Sequence, residues 1–337
     1  MLRVGVDENL APELLRDFPP EVEIVRIPRA SNTTHHVDLW ILPFARKDTA
    51  DTFRRLRGVQ VVQSMMAGVD WITPWLPTSV TLCDGRGIHD ISASEWVLTA
   101  ILASLKRFPL YRDLQRRGQW DGQASVEEDF LREPGAQLGQ YRILGDDLAG
   151  KTVLILGYGS IGAAIEARLA PFGVHLLRVA RTPRISPPTP GQPSIPTDSP
   201  RTVHPVADLH HLLPQADILV ITVPLTESTR NLIGAAELAL LKPGALLVNA
   251  ARGPIVSTTA LLDALTRHRI RAALDVTDPE PLPPAHPLWS APNCLITPHV
   301  GGSTPEFIHR AFRFGAAQVR RYLAGQPLEN IVNESGY

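Results

Sequence analysis

The stretch Lys151-Thr152-Val153-Leu154-Ile155-Leu156-Gly157-Tyr158-Gly159-Ser160-Ile161-Gly162 decides how the rest of the chain is read. An apolar run of single-strand length leads straight into G-x-G-x-x-G, and Ala163–Ala170 then has the composition of a helix. The glycine pattern alone is a weak signal. Between a strand and a helix it is specific. Gly157 makes the tight turn, Gly159 lets the backbone approach a pyrophosphate, and Gly162 lets the helix pack on the strand. The helix N-terminal amides and dipole favour the phosphates. The stretch therefore predicts a dinucleotide site touched by Gly157, Tyr158, Gly159, Ser160, Ile161 and Gly162.

Outward from this turn, short apolar runs alternate with amphipathic stretches, the pattern of a parallel sheet with crossover helices. Downstream strands are predicted at Thr152–Leu156, His175–Val179, Ile218–Thr222, Ala245–Asn249, Ala272–Val276 and Cys294–Thr297. Six strands with intervening helices match a doubly wound, Rossmann-type α/β sheet. Upstream, Leu2–Asp7, Val22–Ile27, Val37–Leu42 and Val59–Gln63 read as strands, with helical pieces at Pro12–Asp17 and Thr49–Leu56, and form a smaller α/β domain. A long helix starts near Ile91, with Ser92 or Ser94 as cap, and ends near Phe108-Pro109. Residues 118–147 read as extended and partly irregular. Pro183 to Pro205 carries eight prolines, at 183, 187, 188, 190, 193, 196, 200 and 205, and reads as a stiff surface loop outside sheet and helix.

Bulk composition agrees with this plan. The 337 residues suffice for two domains, and 44% hydrophobic with 20% charged residues suits a globular chain with a sizeable core. A net charge of -1 offers no basic excess for nucleic acid and points to a small-molecule partner. Cys83 and Cys294 are far apart and sit in apolar runs, so they are expected as buried free thiols, with no metal site. Acidic residues arrive too early for a secretory signal, and no apolar run approaches the roughly 20 residues that span a bilayer. The expected location is cytoplasmic, without membrane contact.

The second strand of the series ends at Leu177-Arg178-Val179-Ala180-Arg181-Thr182. An NAD enzyme places an acid near this point for the ribose 2′-hydroxyl. Ala180 stands there instead, followed by Arg181 and Thr182. With no carboxylate to repel a 2′-phosphate and a guanidinium to pair with it, NADP is expected in preference to NAD.

Three later strand ends carry polar groups: Asn249-Ala250-Ala251-Arg252-Gly253, Asp275-Val276-Thr277-Asp278-Pro279-Glu280 and Thr297-Pro298-His299-Val300-Gly301-Gly302. Singly, each has a bland reading: a surface arginine, an exposed acid in a proline turn, a satisfied histidine. Together with Ala67-Gly68-Val69-Asp70, Glu95-Trp96-Val97-Leu98 and Val223-Pro224-Leu225-Thr226, they give a chain that resembles the D-isomer-specific 2-hydroxyacid dehydrogenase family over nearly its whole length.

The resemblance implies a catalytic Arg252, Glu280 and His299. It implies cofactor contacts from Gly157 to Gly162 and at Arg181, Thr182, Val223, Pro224, Ala250, Ala251, Arg252, Asp275, His299, Gly301 and Gly302. The substrate carboxylate is expected on the backbone amides of Ala67, Gly68 and Val69, with Arg252 and His299 completing the substrate contacts. The chemistry explains the set. Reducing a 2-oxo acid takes a hydride at the carbonyl carbon and a proton at its oxygen. His299 donates the proton as imidazolium, Glu280 orients the ring and favours its charged form, and Arg252 holds the carboxylate and polarises the carbonyl. Asp275 faces the carboxamide side of the nicotinamide, which supplies the hydride.

The resemblance further implies a flavodoxin-like substrate domain made of residues 1–92 and 305–337 around a dinucleotide domain at 93–304. Thr304–Leu323 is the second crossing, and domain closure excludes water from the substrate. It also implies a homodimer joined through residues 92–142, with Trp120 among the interface candidates. Two departures from the family pattern stand out. Trp96 occupies the place where many relatives carry His, and the proline-rich insertion is long. Formate dehydrogenases of this fold pair the histidine with Gln, so Glu280 argues against formate. The activity expected is that of a reductase for glyoxylate, hydroxypyruvate or a similar short 2-oxo acid. The competing reading is a nucleotide-sensing, corepressor-like protein on the same fold, against which Arg252, Glu280 and His299 weigh. A methyltransferase would have no use for them. Met65, Met66, Trp71 and Trp75 are candidates for shaping the substrate pocket, and Arg86 and His89 for meeting a phosphorylated substrate.

Overall fold

A computed structural model describes residues 1–29, 32–44, 48–120, 145–186 and 201–332. The chain divides into two compact units, residues 1–90 with 303–337, and residues 91–302.

The first unit is built on five parallel strands: β1 (Arg3–Asp7), β2 (Glu23–Ile27), β4 (Leu39–Ile41), β6 (Val61–Gln63) and β7 (Thr81–Cys83). They lie in the order β2-β1-β4-β6-β7, which is the flavodoxin-like arrangement. The short pieces β3 (His35–His36) and β5 (Leu56–Arg57) form a separate parallel pair. Strands buried on both faces read as continuous apolar runs, and Leu39, Trp40 and Ile41 are all buried. The helix Pro305–Leu323 covers one face. Its apolar residues Phe307, Ala311, Phe312, Ala316 and Val319 recur at helical spacing and share a core with Val4, Val6, Leu39 and Ile41. The following tail lies along the edge of β7. Asp84 N donates to Asn330 O at 2.9 Å and Val332 N to Leu82 O at 2.8 Å, around an antiparallel bridge between Cys83 and Ile331. Gln318 secures the tail from the helix, accepting from Glu329 N at 3.0 Å and donating to Glu329 O at 2.9 Å.

The second unit carries an eight-stranded sheet in the order β10-β11-β9-β8-β12-β13-β14-β15. Its strands are β8 (Thr152–Leu156), β9 (His175–Ala180), β10 (Arg184–Ile185), β11 (Thr202–Pro205), β12 (Ile218–Ile221), β13 (Ala245–Asn249), β14 (Ile270–Leu274) and β15 (Cys294–Ile296). All neighbours are parallel except β10 with β11. The chain winds from β8 to β9 and β11, then crosses to β12 and continues the other way. The reversal of direction thus falls between β8 and β12, where such sheets bind ligands.

Several expectations are corrected here. Six strands were expected where the sheet has eight. Pro205 was assigned to a loop, yet it ends β11, paired in parallel with Ala180. A proline at a strand terminus gives up little ladder bonding. Residues 187–200, which hold most of the prolines, lie outside the described residues. β14 begins at Ile270, two residues early, because Arg271 is buried in it with Nε on Gly244 O at 3.0 Å and Nη2 on Asp146 Oδ2 at 3.2 Å. Pro109 does not end a helix. The long helix runs Asp90–Leu105, and Pro109 sits in the first turn of a second, Phe108–Arg116. Of the segment expected to be irregular, 121–144 lies outside the described residues, and Trp120 at its border is 93% exposed. Both cysteines are free, Cys83 buried and Cys294 partly so, and burial pushes each thiol up to about 12.

Candidate active site

The glycine turn lies at the point where the strand order reverses. Gly157 has φ +109, a region that penalises any side chain. A Cβ there would also lie 2.5 Å from the main chain of Thr222 and Val223. Thr222 Oγ1 closes this contact by donating to Gly157 O at 2.9 Å. At Gly159, which precedes the helix Ser160–Leu169, a Cβ would meet nothing within 4 Å, so the turn is open on that side. The first-turn amides of a helix have no acceptor within it. An open turn lined by such amides fits the pyrophosphate of a dinucleotide.

Tyr158, the variable residue of the turn, anchors a buried network that the sequence did not announce. Its hydroxyl donates to Glu166 Oε2 at 2.6 Å, and Arg178 donates to both carboxylate oxygens, Nε at 2.6 Å and Nη2 at 2.9 Å. Arg201 approaches the same carboxylate at 3.5 Å. Burial acts to raise the pKa of Glu166, but the hydrogen bonds from Arg178 and Tyr158 outweigh it and hold the carboxyl below its usual range. Arg184 lies over the Tyr158 ring, 5.8 Å from its centre, and donates to Tyr158 O at 2.5 Å. Arg181 and Thr182 are exposed in the turn that leaves β9. Glu166 offered one signal: a carboxylate among the apolar and small residues of an amphipathic helix.

The three polar strand ends follow β13, β14 and β15. At the end of β13, Asn249 shapes the turn. Its Oδ1 accepts from Ala251 N at 3.1 Å and its Nδ2 donates to Arg252 O at 3.0 Å. Arg252 Nη1 donates to Ala251 O at 2.8 Å. The next residue, Gly253, lies against the segment that leaves β14, where a Cβ would stand 1.9 Å from Thr277 O. That segment carries Glu280 between two cis peptides, Asp278-Pro279 and Glu280-Pro281, and Thr277 Oγ1 donates to Pro279 O at 2.9 Å.

His299 follows β15 and adopts φ +54, an uncommon conformation for a non-glycine residue. Asp275 imposes it. Asp275 O accepts from His299 N at 2.7 Å, and the side chain accepts from Thr297 Oγ1 at 2.6 Å, Val300 N at 2.9 Å and Gly301 N at 2.8 Å. The carboxylate expected to meet the nicotinamide is thus engaged in fixing the loop that holds the histidine. Trp96 packs beside this loop, 3.1 Å from the position a Cβ on Gly301 would take.

The histidine and the acid meet: His299 Nδ1 lies 2.6 Å from Glu280 Oε1. The hydrogen bond from His299 is the largest influence on Glu280 and holds its carboxyl below the usual range, with the charge of Arg252 acting in the same sense. Arg252, Glu280 and His299 therefore share one electrostatic site in the second unit. Val223, Pro224, Ala250, Ala251, Gly301 and Gly302 occupy loops at the carboxyl ends of the same sheet, on the face that carries Gly157. Ala67, Gly68 and Val69 belong to the first unit, in the loop after β6.

A glycine turn where the sheet reverses and a histidine–carboxylate pair beyond its neighbouring strands define a nicotinamide-dinucleotide-binding α/β protein. The family model for the D-isomer specific 2-hydroxyacid dehydrogenase, NAD binding domain, matches residues 98–301. A glyoxylate reductase of Thermofilum pendens is 34% identical over 322 residues, covering 95% of this chain and 86% of that one. A D-3-phosphoglycerate dehydrogenase of Methanocaldococcus jannaschii is 31% identical over 301 residues, 88% of this chain, and the match spans about half (52%) of that longer protein. Among solved structures, the NADPH-dependent glyoxylate/hydroxypyruvate reductase of Sinorhizobium meliloti, crystallised with NADP and sulfate, superposes with a TM-score of 0.77 at 26% identity, covering 100% of this chain and 99% of that one. The chain belongs to the D-isomer specific 2-hydroxyacid dehydrogenases, a family of oxidoreductases.

Proposed function

We propose that this chain reduces a short 2-oxo acid of the glyoxylate or hydroxypyruvate type to the D-2-hydroxy acid, with NADPH preferred over NADH. The observation that carries the reading is the 2.6 Å contact between His299 Nδ1 and Glu280 Oε1 beside Arg252. With Nδ1–H committed to the carboxylate, Nε2 is the nitrogen left to hand a proton to the substrate carbonyl oxygen. Glu280 keeps the ring oriented and offsets the imidazolium charge. Arg252 supplies donors to the substrate's carboxylate and draws electron density from the carbonyl. The bound nicotinamide supplies the hydride. The same groups run the oxidation in reverse, with His299 as base.

The carboxylate assignment of Ala67, Gly68 and Val69 is part of the proposal. Among the described residues the amides of Ala67 and Gly68 meet no acceptor, and both residues are partly exposed at the carboxyl end of β6. The cofactor preference is supported by Ala180 and the exposed Arg181, a neutral residue and a guanidinium where an NAD enzyme carries an acid. A homodimer joined through residues 92–142 and a cytoplasmic location complete the proposal. Exposed Phe108 and Trp120 support the first, and no described helix is long and apolar enough to cross a membrane.

The test is cofactor oxidation with glyoxylate, hydroxypyruvate and longer 2-oxo acids, with NADPH and NADH compared at equal concentrations. Turnover with higher kcat/KM for NADPH is expected. Better efficiency with NADH overturns the cofactor assignment. Tight NADPH binding without turnover of any 2-oxo acid overturns the enzyme reading in favour of nucleotide sensing.

A further inference from the structure

The carboxyl ends of β6 and β7 carry two loops of the first unit that are hydrogen-bonded together. Gly85 N donates to Met66 O at 2.9 Å, and Gln63 Nε2 reaches Ser64 O at 2.7 Å and Asp84 O at 3.0 Å. One loop holds the open amides of Ala67 and Gly68. The other holds Arg86, which is fixed at three points. Its N donates to Asp84 Oδ1 at 2.9 Å, its Nε lies 3.0 Å from the same carboxylate, and its O accepts from Asn330 Nδ2 at 3.0 Å. The Asp84 side chain is wholly buried, and its polar contacts among the described residues are all with Arg86. A buried carboxylate is costly to desolvate unless it is paired. Burial raises its pKa, and the hydrogen bonds and charge of Arg86 act against that rise. This pairing uses only Nε of the guanidinium. Nη1 and Nη2 meet no acceptor among the described residues, and the Arg86 side chain is 38% exposed.

We propose that Arg86, positioned by buried Asp84, is a specificity-determining residue that selects 2-oxo acids bearing a second anionic group, a carboxylate or a phosphate, at the end remote from the oxo acid. This rests on the assignment of the substrate carboxylate to the Ala67–Val69 amides. The hydrogen bond from Gly85 N to Met66 O holds the residue before Arg86 against the residue before Ala67, so the guanidinium and the open amides belong to neighbouring loops on one sheet edge. The free edge of the guanidinium presents two parallel N–H groups, the geometry that carboxylate and phosphate oxygens accept. An arginine present only to neutralise Asp84 would act equally on every substrate, and the two roles separate on that point.

The experiment measures kcat/KM for matched pairs: 2-oxopentanoate against 2-oxoglutarate, and hydroxypyruvate against its phosphate ester. The wild type is expected to favour the dianion of at least one pair by tenfold or more, with the pair identifying carboxylate or phosphate. Arg86→Gln is expected to erase about tenfold to a hundredfold of that preference, through KM rather than kcat, and Arg86→Lys to restore part of it. No preference for either dianion, or equal loss on both members of a pair, overturns the proposal. If no 2-oxo acid is reduced, the proposed activity falls, and the anion site is decided by calorimetry with succinate and butyrate. Succinate binding that is lost in Arg86→Gln upholds the site, and equal binding of the two acids overturns it.

Discussion

Gly253 and Thr277 are in such close apposition that a single added carbon on residue 253 would stand 1.9 Å from the Thr277 carbonyl oxygen. Arg252 precedes this contact and Glu280 follows it by three residues. The contact therefore sets the separation between the guanidinium and the acid. In Gly253→Ala the obstacle is backbone rather than a flexible side chain, so one of the two loops must shift. A shift of about 1 Å at a reacting centre can cost about a hundredfold in rate. We expect kcat/KM to fall by that order and stability by about 1–3 kcal/mol. A variant with wild-type kinetics would show that this apposition does not set the site.

His299→Ala removes the proposed proton donor while leaving the glycine turn untouched. We expect kcat to fall about 10²–10⁴-fold, with the affinity for NADPH, read by fluorescence titration, changed less than severalfold. Half-maximal activity in the variant would remove His299 from the role.

Glu280 supplies the sign of the pH dependence. Its carboxyl lies below the usual range chiefly through the hydrogen bond from His299. The stabilisation it gives is therefore complete above that range and is lost as pH falls through the lowered value. Reduction should decline on the acid side only at pH below ordinary carboxylate titration. In Glu280→Gln no carboxylate is left to protonate, and that acid-side decline is expected to vanish from a profile that is lower throughout. A pH–rate profile checks this, and coincident profiles would sever Glu280 from the function assigned to it.

Glu166 is 1% exposed and its partner Arg178 is 11% exposed, so the pair is shielded from solvent. Breaking a buried ion pair on one side strands the other charge, at about 3–5 kcal/mol. We expect Glu166→Gln to lose stability of that order in urea unfolding. Because the same carboxylate holds Tyr158, KM for NADPH should also rise. Unchanged unfolding would mean that Arg178 finds another acceptor.

What the sequence disclosed and what it withheld divide by range. Gly157, Gly159 and Gly162 were legible because a turn of that kind is a local property, set by a few consecutive residues between a strand and a helix. Arg252, Glu280 and His299 were legible only through the family pattern, since no spacing along the chain announces that three separate strand ends converge. β11 was missed because prolines flank it, and a strand of four residues ending in Pro205 has no periodicity to oppose that signal. The Tyr158–Glu166–Arg178 network was invisible because charged residues read as surface until a partner is known. Asp275 was placed at a strand end, but its structural part in the His299 loop was not foreseen. Nothing in its neighbours showed that three donors from the His299 loop would occupy its carboxylate.

The short tail that runs antiparallel along β7 closes what would otherwise be a bare margin of unpaired amides and carbonyls. Exposed sheet margins are templates for joining one molecule to the next. A protease cut ahead of Asn330 would thus do more than shorten the protein: it would convert a finished border into an adhesive one and release the carbonyl of Arg86 at the same stroke.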